Sequence, residues 1–304
     1  MLRPSLPFAL ATALAAQAAT EAAIDDDLLL QRIETGCDKL REQGLLHKVD
    51  ELAKDCDGRR CELPAVEPSA TPLPPPQLRE RLLHSACIVG HFYSCAECKK
   101  WHFSASSGFA VCKDGLVATC FHLLEDDPEM PNACLVIADW DGSVWPVTAV
   151  VAADKGADVA ILQCARKDLV PLPLRTDART GDHVYCLSNP DHQFACFTDG
   201  MIARRYVVRG AAPGTAGDDG KNSSAASDHG RPIDPKARVL QFLQVTCEFA
   251  VGSSGAPVAD DRGNVIGMAQ STATVFVDPD QQPAEPQMVS RAAVPAAALR
   301  ALAK

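Results

Sequence analysis

Between residue 87 and about residue 290 the chain repeats one pattern: a short apolar run, a turn signal, and another short apolar run. "SGFAVCKDGLVATCFH", "SVWPVTAVVAAD", "DVAILQC", "GDHVYCLS", "QFACFTDGMIARRYVV", "VLQFLQVTCEFA" and "NVIGMAQSTATVF" all read this way. Each run is too short for a core helix and rich in β-branched or aromatic residues, so each reads as a strand. Asp114-Gly115 sits between two of them and is a hairpin signal, because both residues accept positive φ. Many short strands with frequent turns predict a mainly β fold, either barrels or a sandwich. No internal repeat is visible.

The flanks differ. "MLRPSLPFALATALAAQA" carries an early arginine, an apolar Ala/Leu stretch and small residues at Ala16 and Ala18, the layout of an export signal over 1–18. The apolar run is short for a membrane span of about 20 residues, so no membrane domain is expected after cleavage and a periplasmic or secreted location is. Residues 19–62 hold apolar positions at helical spacing after an acidic start, with Gly44 as a break and Cys37 available to pair with Cys56 or Cys61. Residues 63–76 form a proline-rich linker, expected to be stiff and to stay out of a core. The strand region divides into 77–175 and 176–304, the latter with a Gly/Ser/Asp-rich insertion at 209–238 and a closing helix in "VPAAALRALAK". Asn222 heads a formal glycosylation sequon in that insertion, read as an unmodified loop.

The formal charge is −10, and no Lys/Arg cluster supplies a local basic face, which argues against nucleic acid as a partner. Thirteen cysteines in an exported chain predict disulfides with at least one thiol left over, and buried thiols at Cys164 and Cys186.

The stretch "VGSSGAP" at 251–257 lies between two strands. A serine hydroxyl becomes a nucleophile only with a base in hydrogen-bond reach, a third group orienting that base, and N–H donors for the oxyanion. Ser254 offers the hydroxyl, and Gly252 lets the backbone turn so that amides of Gly252, Ser253 and Ser254 line an oxyanion hole. His122 after "LVATCF" and Asp158 before "VAIL" are strand-end residues fit to be base and orienter. The order His122, Asp158, Ser254 is that of chymotrypsin-like peptidases, not of subtilisins or α/β-hydrolases.

These segments resemble bacterial trypsin-like serine peptidases of the HtrA/Deg type. "SSGFAVCKDGLVATCFHLLED" is similar to their histidine hairpin, "GADVAILQC" to their aspartate strand, and "VGSSGAPVADDRGNVIGM" to their nucleophile loop, over about residues 82–300. The resemblance implies two antiparallel six-stranded β-barrels with the site between them and a serine endopeptidase acting on proteins or peptides without a cofactor. The chain departs from the family pattern at Ser253 (usually Asn or Asp) and Ala256 (usually Gly), and no PDZ domain is read after the second barrel. "CIVG" at 87–90 has no preceding basic residue, so activation by cleavage there is not expected.

The resemblance also places Gln270, Ser271 and Thr272 on the strand to which a substrate peptide adds, and residues 248–251 at the S1 pocket. Glu248 would attract Lys or Arg there; Phe249 would fill the pocket and favour small side chains, the preferred expectation. An inactive homologue that binds peptides, or an envelope scaffold, would carry the same motifs. Deleting 24–76 is expected to spare peptide cleavage. Finally, "HFYSCAECKKWH" sets His91, Cys95, Cys98 and His102 at a spacing compatible with tetrahedral zinc, with a Cys95–Cys98 disulfide as the alternative.

Overall fold

The computed structural model describes residues 22–167, 169–210, 236–276 and 285–304. The export signal and the Asn222 sequon therefore lie outside the described residues. Two closed, six-stranded antiparallel barrels make up the body. The first contains β1 (Ala86–Ser94), β2 (Trp101–Cys112), β3 (Leu116–Thr119), β4 (Cys134–Ala138), β5 (Val144–Asp154) and β6 (Val159–Cys164), closed in the order β1-β2-β3-β6-β5-β4. The second contains β7 (His183–Ser188), β8 (Cys196–Arg209), β9 (Val239–Val245), β10 (Pro257–Ala259), β11 (Val265–Phe276) and β12 (Pro286–Pro295), closed as β10-β11-β12-β9-β8-β7. The choice between barrel and sandwich, open from strand pattern alone, is settled by closure, which leaves neither sheet with a free outer strand.

The β2–β3 hairpin forms around Asp114-Gly115, but only Gly115 takes positive φ (89°). Three residues separate the strands, and a register shift between Ala110 and Cys112 absorbs the odd residue.

The N-terminal segment is helical as read: α1 (Asp26–Glu42), then α2 (Val49–Ala53), with Gly44 at φ 68° after the first helix. Asp25 caps α1 by accepting from Leu28 N–H at 2.9 Å, acids fill the first turn, and Lys39 and Arg41 the last. Its Leu29, Ile33 and Cys37 are spaced i, i+4, i+8 and bury together against Ile88, Phe92, Phe103 and Val136 of the first barrel. Full burial of each large side chain stabilises by roughly 1.5–3 kcal/mol. Asp26 Oδ1 also accepts from Phe194 N–H at 3.0 Å, tying the helix to the second barrel's first hairpin. Cys37 thus sits in a different core cluster from Cys56, which packs with Leu52 and Leu78. No disulfide joins them, and none is formed among the thirteen cysteines of the structure.

The proline-rich linker departs from expectation. Leu63 and Leu73 pack on the core, Ser69 N–H donates to Asn264 Oδ1 at 2.7 Å, and Asn264 Nδ2 donates back to Ser69 O at 3.0 Å. A proline-rich strand lacks N–H donors but still offers carbonyls and apolar faces, enough to lie along the second barrel. It leads into α3 (Pro75–Leu83), and α4 (Ala296–Arg300) follows β12. Ile88 lies mid-strand, paired with both Ser107 and Ala138, so it is a sheet residue and no free terminus. Among the described residues no helix is long and apolar enough to cross a membrane.

Candidate active site

His122 sits in a 3-10 turn (Phe121–Leu124) just beyond β3, not on the strand itself, and Asp158 immediately precedes β6. β3 and β6 pair along Leu116–Thr119, which carries both residues to one end of the first barrel. Asp158 is fully buried with φ 57°, a conformation costly for a non-glycine residue that persists only when its surroundings hold it. They do so at three points. Oδ1 accepts from His122 N–H at 2.8 Å, and Oδ2 accepts from His122 Nδ1 at 2.9 Å and from Gln270 Nε2 at 2.8 Å. Nδ1 faces the carboxylate, so Nε2 is the nitrogen left to face the cleft.

Burial alone pulls the His122 imidazole toward the neutral form. The hydrogen bond to Asp158, its charge and that of Glu125 outweigh it, and the pKa lies above the ordinary histidine value. Behind the pair, Cys120 is buried with its Sγ 3.3 Å from Ala269 O, and burial together with the Asp158 charge holds it as a neutral thiol. Cys120, His122 and Asp158 have their ligand atoms within 4.8 Å of one another, but that protonated thiol makes a poor metal ligand.

The 251–257 loop that carries Ser254 is built by two left-handed glycines. Gly252 and Gly255 both have φ 91°, and a Cβ at either would run into backbone carbonyls, of Asn189 and of Ser107 respectively. Ser253 departs from the oxyanion reading: its N–H closes a turn onto Ala250 O at 3.0 Å and cannot also face an oxyanion. Its hydroxyl donates to Ser188 Oγ at 3.1 Å, which pins the loop to β7. Among the described residues the N–H groups of Gly252 and Ser254 have no acceptor, leaving two donors at the turn. Ser254 Oγ donates to Gln270 O at 3.3 Å, not to His122.

Two residues given no role from the sequence hold the barrels in register here. Ser107 of β2 donates N–H to Ser254 O at 2.9 Å and its hydroxyl to Gly252 O at 3.0 Å. Asn189 supports that hydroxyl with its own N–H (3.2 Å) and Nδ2 (3.0 Å).

The specificity residues are distributed differently from expectation. Gln270 is buried and its side chain donates to Asp158, so that side chain positions the carboxylate and does not face a docked peptide. It sits at a register shift between Ala269 and Ser271 in the β11–β12 pairing, which turns its amide inward. Ser271 and Thr272 follow on β11, paired with β12 on one side. Glu248 forms an ion pair with Arg291, whose Nε also donates to Phe249 O at 3.1 Å, so the acid is already partnered. Phe249 is buried in the second barrel's core beside Ala256 and Ala269.

At the tip of the β1–β2 hairpin, Cys95, Cys98 and His102 bring their ligand atoms within 4.8 Å of one another. His91 does not join them. It is buried on β1 with Nε2 2.8 Å from Leu123 O, because its side chain points into the barrel end beside the His122 turn.

The family model described as "Trypsin-like peptidase domain" matches residues 106–268. A curated relative, serine protease HTRA1 of Xenopus tropicalis, is 23% identical over 168 residues, covering 54% of this chain and 31% of its own. The probable periplasmic serine endoprotease DegP-like of Brucella suis biovar 1 is 28% identical over 166 residues, covering 53% of this chain and 26% of its own. The chain therefore spans about a third or less of the length of these relatives. Among solved structures, the Rv3671c protease of M. tuberculosis in its active form superposes with a TM-score of 0.53 at 19% identity, over 81% of this chain and 90% of that one, a likeness of fold.

Proposed function

Because this chain belongs to the trypsin-like peptidase family, we propose that it is an exported serine endopeptidase, periplasmic or secreted, hydrolysing protein or peptide substrates through Ser254, His122 and Asp158. The observation that carries this reading is the two-point grip of Asp158 on His122 beside a loop with two unpaired N–H groups. His122 Nε2 takes the Ser254 proton as Oγ attacks the scissile carbonyl, then returns it to the leaving amine. Asp158 fixes the tautomer and offsets the charge of the imidazolium. The amides of Gly252 and Ser254 receive the oxyanion. Water then repeats the sequence on the acyl-enzyme. The substrate lies extended along Ser271 and Thr272. The pairing of Glu248 with Arg291 weakens its pull on Lys or Arg, which supports apolar over basic P1 residues.

The Ser254 bond to Gln270 O favours one second reading, a peptide-binding module that does not cleave. In the enzyme reading the hydroxyl leaves that carbonyl for Nε2 when substrate enters, as catalytic hydrogen bonds commonly form only in the complex. A fluorophosphonate probe separates them. Labelling of the wild type that Ser254→Ala abolishes is the enzyme's result; a folded wild type that binds peptides without labelling is the binder's. Efficient cleavage after Lys or Arg in a P1 library overturns the specificity reading alone.

A further inference from the structure

The β1–β2 hairpin closes with "Ser94-Cys95-Ala96-Glu97-Cys98-Lys99-Lys100-Trp101", and its geometry is more ordered than a plain surface turn needs. Cys95 N–H donates to Lys100 O at 2.8 Å, and Lys99 N–H donates to Cys95 O at 3.1 Å. Lys99 takes φ 60°, a position that usually favours glycine. The effect is to fold Cys98 back over Cys95, so that Cys98 N–H points at Cys95 Sγ at 3.5 Å. Strand pairing of Tyr93 with His102 then sets the imidazole over the same turn, with Nε2 2.9 Å from Cys98 Sγ. Below the turn, Trp101 stacks on Phe92 with ring centroids 4.9 Å apart, and the Arg41 guanidinium lies 5.1 Å from the Trp101 ring. The hairpin stem is thus fixed while the three sulfur and nitrogen atoms face outward.

We propose that Cys95, Cys98 and His102 form a zinc site with three protein ligands and a water in the fourth position. Two thiolates and one imidazole select a borderline-soft ion, and zinc is the common one of that class. Zn–S arms of about 2.3 Å and a Zn–N arm of about 2.1 Å give a tetrahedron with edges of about 3.5–3.8 Å. The three donors already lie within 4.8 Å of one another, so Cys98 and His102 need only part by about 0.7 Å from 2.9 Å. Both are at least partly exposed and free to make that rotation. On binding, each thiol releases its proton to solvent and the imidazole binds through a neutral nitrogen, so two thiolates cancel the charge of the ion. Neither oxidant nor reductant takes part. The site lies outside the catalytic cleft and does not depend on the peptidase reading.

The probe is cobalt(II), titrated into the reduced, chelator-stripped full chain and then displaced with zinc. The expected result is a single equivalent bound with thiolate-to-metal charge-transfer and tetrahedral ligand-field bands, bleached by zinc. The Cys95→Ser/Cys98→Ser double variant should lose the charge-transfer band, and His102→Ala should weaken binding by about 100-fold or more, going beyond the loss typical of an outer-shell partner. Cys120→Ala should keep the spectrum, which separates this turn from the cluster around His122. Far-ultraviolet circular dichroism establishes that each variant is folded, as expected for substitutions at an exposed tip. A wild type without the charge-transfer band, a double variant that retains it, or His102→Ala binding as wild type overturns the proposal. So does a protein purified without reductant that is two hydrogens lighter, with the change mapped to a Cys95–Cys98 disulfide that reduction and cobalt fail to replace.

Discussion

Asp158 holds His122 by both its backbone and its ring: one carboxylate oxygen accepts the main-chain N–H at 2.8 Å and the other accepts Nδ1–H at 2.9 Å. In the proposed triad this grip would fix both the turn that carries His122 and the tautomer of its ring. An acid bound through the ring alone would leave the imidazole to swing with its turn.

Asp158→Asn keeps the shape but donates where it should accept. Its amide can satisfy only one of the two histidine N–H groups, so the tautomer or the turn is lost. We expect kcat to fall by roughly 10³–10⁴-fold, with residual activity from the oxyanion donors. Steady-state kinetics on a peptide amide checks this, and a loss under tenfold would remove Asp158 from the mechanism.

The base acts only when neutral, and the His122 pKa lies above the ordinary value of 6.5 because Asp158 and Glu125 outweigh burial. The acid limb of the kcat/KM profile should therefore have its midpoint above that value, with activity falling as pH drops through it. In folding, the same raised pKa stabilises the native state fully below the unfolded value, and that contribution is lost as pH rises through the folded one. In Asp158→Asn the imidazole loses its counter-charge, burial dominates, and its titration followed by proton NMR should move to lower pH.

Gln270→Ala removes the amide that donates to Asp158 Oδ2 but retains the backbone carbonyl near Ser254. The carboxylate then swings more freely. The expected signature is a kcat lowered by about 10–100-fold with KM little changed, a split that a purely structural defect would not produce. Gln270→Glu should be worse, since it sets a second carboxylate against the first.

Ile33→Ala, in the middle of the α1 stripe, opens a cavity between that helix and the first barrel. The expected cost is about 2–5 kcal/mol, read from urea denaturation. Deleting residues 24–76, expected from the sequence to spare peptide cleavage, should instead lower the melting temperature and with it cleavage, because Leu29, Ile33, Leu63 and Leu73 cover apolar core. Cleavage and melting temperature equal to the full chain would show these contacts to be dispensable.

The strand rhythm, the hairpin at Gly115, the helical N-terminal segment broken at Gly44 and the order His122, Asp158, Ser254 were all legible in the chain, since each depends on local spacing or on the residue type a turn requires. What a side chain touches across the fold is not local. Closure of both barrels, Gln270 turned inward by a register shift, Glu248 partnered by Arg291, and the Ser107–Asn189 support of Gly252 join residues far apart in sequence. His91 and His102 look equivalent in "HFYSCAECKKWH", yet one is buried beside Leu123 O and the other meets Cys98 at the hairpin tip. Local sequence determined which residue types were present and where the backbone could turn. Only three-dimensional packing decided which polar atoms found partners, because a buried donor or acceptor takes whatever complement the fold brings within about 3 Å.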